Sequence, residues 1–157
     1  MTPAIETARA GRITYRVHEY AHDAAGGAYG MEAAQLLGVD PARVFKTLVV
    51  SLDARSLAVG LVPVSGMLGM KLMARAAGAR KAAMAEAAEV ERATGYVLGG
   101  VSPLGQKKRL RTFIDRTAQG FSTIYVSAGR RGLELEMAPQ DLVRLTGGVF
   151  APLLQPA

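Results

Sequence analysis

At 157 residues the chain has the length of one domain, enough to bury a sizeable core without metals or disulfides. Apolar residues make up 50% and charged residues 20%, which excludes disorder, and no apolar run approaches the length needed to cross a bilayer. Cysteine is absent, which removes disulfides, thiolate metal sites and a cysteine nucleophile together, while 19 Lys and Arg against 13 Asp and Glu leave a net +6 that favours a polyanionic partner.

Thr2 followed by Pro3 is a helix cap with proline at the first helical position, and Gly11 is a stop, so residues 3–10 read as a short helix. The N-terminus lacks the basic and apolar pattern of a secretory signal, which makes the cytoplasm the expected compartment. Residues 13–19 alternate as a half-buried strand, placing His18 and His22 of HEYAH at and beyond its end, as turn histidines rather than a metal pair. After the glycine-rich AHDAAGGAYG, MEAAQLLG has helical spacing. Asp40 and Pro41 then open a single turn that leads into strand.

KTLVVSL and SLAVGLVP, separated by DAR, predict a hairpin at the centre of a sheet. Residues 67–77 return to helical spacing, with Met67, Met70 and Met73 read as core, and AEAAEVERATG predicts a further helix ending at Gly95. TFIDRTA, STIYVSA and LELEMA are strand candidates, the last two joined by a GRRG turn. PQDLVRLTG is the final helix, and FAPLLQPA is expected to be a tail. Strands outnumber helices without alternating regularly. The expected fold is therefore α+β, a mixed, mostly antiparallel sheet that is curled or barrel-like, with short flanking helices.

Lys46 carries the most information of any single residue. By period two it shares a strand face with Leu48, Val50 and Leu52, so its ammonium must either snorkel past the sheet edge or meet an anion. The segment TGYVLGGVSPLGQKKRLR offers adjacent glycines, Gly99 and Gly100, through which backbone N–H groups can approach an oxygen closely; a plain turn and an oxyanion or phosphate cradle fit it equally. Neither a dinucleotide fingerprint nor a P-loop is present, and Ser102 has no triad context. Lys107, Lys108, Arg109 and Arg111 form a basic run, followed later by Arg130 and Arg131.

MTPA, HEYAHD, FKTLVV, TGYVLGGVSPLGQKKRL, TIYVS and RRGLELE, in collinear order from residue 1 to about residue 148, resemble the YbaK family of bacterial deacylases acting on mischarged proline tRNA. The resemblance implies one editing domain over residues 1–157, no cofactor and no metal. It further implies Cys-tRNA(Pro) as substrate and a transient complex with prolyl-tRNA synthetase, with no membrane and no DNA partner. It carries catalytic roles onto Lys46, Gly99 and Tyr20. Substrate contacts fall on Thr47, Gly100, Ser127 and Glu134, the last in place of the expected Asp. The implied chemistry is attack by the substrate's own thiol on its ester, with tRNA phosphates held by Lys107, Lys108, Arg109 and Arg111. An Ala-tRNA(Pro) hydrolase of the same fold, and a binding module without catalysis, stay open as alternatives.

Overall fold

The computed structural model describes residues 1–21 and 29–157; His22 lies outside them. Helices α1 (Pro3–Ala10), α2 (Tyr29–Leu37), α3 (Met70–Ala77), α4 (Ala87–Thr94) and α5 (Pro139–Thr146) surround strands β1 (Tyr15–Glu19), β2 (Val44–Leu52), β3 (Ser56–Pro63), β4 (Ala82–Met84), β5 (Arg111–Asp115), β6 (Ile124–Arg130), β7 (Leu133–Met137) and β8 (Val149–Ala151). None of the described helices is long and apolar enough to cross a membrane. The start signals work as expected: the Thr2 side chain accepts from the Ile5 N–H, Pro3 opens α1, and Asp40 caps the 3-10 turn Pro41–Arg43.

The strands form one mixed α+β sheet in the order β1-β7-β6-β2-β3-β5-β8, with β4 also paired to β2. Pairing is antiparallel at β1–β7, β6–β7, β2–β3 and β2–β4, and parallel at β2–β6, β3–β5 and β5–β8. Alternation along β2 divides the core. Phe45 and Val49 enter the main cluster with α1, α4 and α5, whereas Val50 and Leu52 pack with Met73 and Ala74 of α3 on the other face. On that second face Val44 joins Ala33 and Ala34 of α2, together with Val64 and Tyr125, in a separate cluster.

Several expectations need correction. The third helix begins at Met70, after Gly69, so Met67 is not core: it is 65% exposed, whereas Met73 is fully buried. Residues 82–84 form β4, an unforeseen strand. FAPLLQPA is not a loose tail, because β8 runs parallel to β5 and Leu153 is fully buried. The Asp115 carboxylate accepts from the N–H groups of Leu153 and Leu154 at 2.8 and 3.1 Å, which fixes the chain beyond Pro152. His18 also has an acid partner that its sequence neighbours do not reveal: Nε2 lies 2.9 Å from Glu136.

Candidate functional site

The site originates in an interruption of β2. On one side β3 pairs with β2 continuously from Phe45↔Pro63 to Leu52↔Ser56. On the other side the parallel register with β6 ends at Phe45↔Val126, and β4 pairs only from Val50↔Met84. Between them, residues 46–48 have no strand neighbour on that side among the described residues. The Val44 carbonyl faces β3, where it accepts from Val64, and the Val49 carbonyl faces β4, where it accepts from Ala85. By alternation, the main-chain polar groups of Thr47 therefore point into the gap.

A pocket of about 300 Å³ opens there. Its polar wall is Tyr20, Lys46, Thr47, Ser127 and Glu134, and its apolar wall includes Val44, Val64, Leu98 and Val101. Gly99 and the two arginines of the β6–β7 turn, Arg130 and Arg131, complete it. The structure thus brings together six of the residues singled out from the sequence (Tyr20, Lys46, Thr47, Gly99, Ser127 and Glu134) from four separate stretches of chain.

Lys46 lies on the seam between the α2 and α3 clusters, on the apolar face its spacing predicts. It forms no ion pair among the described residues, and burial pulls its ammonium below the ordinary lysine range. Glu134 is 7% exposed, and burial pushes its carboxyl up to about 8, so it is largely protonated at neutral pH. Tyr20 is tied through its N–H to the Gly132 carbonyl, and burial followed by the Glu134 charge raises its phenol. Thr47 Oγ1 is buried with no hydrogen-bond partner among the described residues, and an orphaned hydroxyl in a pocket wall is ready for a ligand. The Ser127 hydroxyl accepts from the Gly129 N–H beside a bulge, which fixes its direction.

The glycine segment resolves into distinct devices. Gly100 donates to the Val97 carbonyl at 3.0 Å, closing a turn in which Gly99, at φ 90°, takes a conformation L side chains rarely adopt. Gly99 lines the pocket, and its N–H makes no hydrogen bond among the described residues. Gly100 does not line the pocket. A Cβ there would stand 2.7 Å from the Arg130 Cα, so it is a packing glycine, with its N–H already engaged, rather than a substrate contact. Ser102 is fully buried and accepts from the Leu104 N–H, which makes it a turn residue.

The basic run is not part of the pocket either. The N–H groups of Lys107 and Lys108 donate to the Thr94 and Ala93 carbonyls at the end of α4. Arg109 lies over Gly147 just past α5, and Arg111 Nη1 donates to the Ala77 carbonyl at the end of α3, 3.1 Å away. These cations sit where helix dipoles and unpaired carbonyls attract them.

Sequence reasoning did not assign Arg130, Arg131 or the apolar wall to the site. The GRRG turn that directly follows the Ser127 strand was a usable signal for the arginines. Arg131 is held by Glu32 of α2 through two contacts of 3.1 Å. Among the described residues no group of three or more His, Cys, Asp or Glu side chains could hold a metal.

The sequence profile of the aminoacyl-tRNA editing domain matches residues 27–145. A protein of Enterococcus faecalis, EbsC, named provisionally as a Cys-tRNA(Pro)/Cys-tRNA(Cys) deacylase, is 35% identical over 152 residues, covering 97% of this chain and 92% of that protein. The solved structure of hypothetical protein APE2540 is 30% identical, with TM-score 0.85 over 98% of this chain and 99% of that one. A crystal structure described, again provisionally, as a trans-editing enzyme for prolyl-tRNA synthetase superposes with TM-score 0.84 over 99% of both chains; at 24% identity that likeness is one of fold. The profile match, the relative at 35% identity and the pocket lined by the motif residues agree: this chain belongs to the YbaK-type aminoacyl-tRNA editing domain family.

Proposed function

We propose that the protein removes cysteine mischarged on tRNA(Pro), and that the substrate supplies the nucleophile. The observation that carries this reading is the pairing of an unengaged Gly99 N–H with the Lys46 ammonium in a pocket that holds no cysteine. The cysteinyl thiol loses its proton and its sulfur bonds to the acyl carbon. The bond from that carbon to the ribose oxygen breaks, and the oxygen takes up the proton, which leaves free tRNA and a small thiolactone. The Gly99 N–H stabilises the developing oxyanion, and Lys46 holds the terminal ribose or phosphate. Tyr20, Thr47 and Ser127 shape the acyl pocket, and Glu134, mostly neutral, donates a hydrogen bond within it. The basic run at residues 107–111 contributes long-range attraction to the RNA.

The relative named for Cys-tRNA(Pro) and Cys-tRNA(Cys) supports the choice of cysteine. In this reading the protein is a single editing domain that acts in the cytoplasm, in transient complex with prolyl-tRNA synthetase. The test uses purified protein and tRNA(Pro) charged separately with cysteine, alanine and proline. Rapid loss of cysteine alone is expected. Faster loss of alanine overturns the specificity, and loss equal to the protein-free rate overturns catalysis. If S-methylcysteinyl-tRNA is cleared as fast as the free-thiol form, attack by the substrate thiol is wrong.

A further inference from the structure

A second concavity, a cleft of about 730 Å³, lies at the far end of β2 and is lined by Ser51, Asp53, Arg55, Arg80, Lys81 and Ala83, with Ala54 at the turn. Its charge is unbalanced. Arg55, Arg80 and Lys81 are exposed and form no ion pair among the described residues. Asp53 is the one acid in the lining among the described residues, and its carboxylate is occupied by main chain: it accepts from the Arg80 N–H at 3.0 Å and the Lys81 N–H at 2.8 Å. The Asp53 N–H in turn donates to the Lys81 carbonyl at 2.9 Å. The hairpin turn therefore grips the backbone that carries two of the cations and fixes where they start, without neutralising them.

The position of the cleft gives it meaning. Along the chain of β2, Ser51 of the cleft lies about 13 Å from Thr47 of the pocket, and Asp53, which holds the backbone of Arg80 and Lys81, lies about 20 Å from it. A single-stranded RNA end of a few nucleotides spans those distances. By contrast, Lys107, Lys108 and Arg109 of the basic run predicted to hold tRNA sit at the ends of α4 and α5.

We propose that Arg55, Arg80 and Lys81 form a phosphate clamp for the single-stranded 3′ end of the tRNA, holding it upstream of the aminoacyl ester that enters the Lys46 pocket. The clamp rests on the reading that the substrate is an aminoacyl-tRNA. Its contribution is sequence-independent and salt-sensitive, because each phosphate contact releases counterions. The cations take hold of the backbone, and the pocket selects the acyl group.

The test replaces Arg55, Arg80 and Lys81 with glutamine together. Because all three side chains are exposed, the variant should keep the melting temperature of the unmodified protein. Affinity for uncharged tRNA is measured by fluorescence anisotropy over a range of salt, beside a Lys107→Gln/Lys108→Gln/Arg109→Gln variant. The clamp predicts an affinity loss on the order of tenfold at low salt, a slope of log affinity against log salt smaller by about 2, and a lesser effect of the second variant. In deacylation, the loss should appear in KM for charged tRNA and be smaller for an aminoacylated adenosine that lacks upstream phosphates. Unchanged affinity and slope, or an equal loss in both variants, overturns the clamp. So does intact RNA binding with lost binding to an acidic protein partner. Binding is read without turnover, so absence of deacylation by the unmodified protein would reject the proposed function and leave the clamp to be decided by the anisotropy.

Discussion

Replacing Glu134 with glutamine tests whether this carboxyl is neutral in the folded protein. Burial raises it to about 8, against an ordinary 4.5. Between those two values the folded chain keeps a proton that the unfolded chain has released, so stability falls as pH rises, fully present below the unfolded value and lost up to the folded one. At roughly 1.4 kcal/mol per pH unit, the gap corresponds to at most on the order of 5 kcal/mol. That is a large share of the stability of an ordinary domain. Glutamine keeps the shape and the hydrogen-bonding capacity but never ionises. Urea unfolding of both proteins at about pH 5, about pH 6.5 and about pH 8 should show glutamine gaining steadily on glutamate toward alkaline pH. Parallel stability curves over the whole range would refute a buried, protonated Glu134, and with it the hydrogen-bond donor proposed for the pocket.

Lys46→Ala should lower kcat/KM by about 10²-fold to 10³-fold, with the urea midpoint little changed, since the side chain has no ion-pair partner to strand among the described residues; comparing both readouts on one preparation checks it. Gly99→Ala forces a Cβ into φ 90° and should cost roughly 1–2 kcal/mol in chemical denaturation while slowing deacylation. Glu136 behaves oppositely to Glu134. Burial pulls its carboxyl up, but bonds from Thr123 and His18, with the charges of His18 and Arg43, outweigh burial and hold it below the ordinary range. Its stabilisation is present above the unfolded value and lost as pH falls through the folded one, so Glu136→Gln should flatten the acid side of the stability profile, measured by thermal melts.

Local chemistry made much of this fold legible. The caps at Thr2 and Asp40, the period-two runs of β2 and β3, and the glycine stops after α3, α4 and α5 all act over a few residues, where sequence speaks directly. The strand Ala82–Met84 was hidden because Ala-Ala-Met neither alternates nor favours strand; it exists because β2 offers it an edge. Pro152 hid β8 in the same way, since the Asp115 carboxylate that fixes the following backbone lies far away in sequence. In the site, Lys46 stood out as a charge on an apolar face. The gap beside it did not, because it is created by where β6 and β4 stop, and strand pairing between distant segments leaves no mark on either alone.

The segment of residues 107–111 also has a consequence for how the molecule opens. Alternate side chains, Lys107, Arg109 and Arg111, reach the ends of α4, α5 and α3 in turn, and the Lys107 and Lys108 N–H groups take up two of the α4 carbonyls. Helix ends far apart in the chain therefore share one short clasp, and detaching it exposes carbonyls of α3 and α4 and uncovers the Gly147 end of α5 at once. Hydrogen exchange at these termini should then proceed as one cooperative event, rather than as three independent frayings.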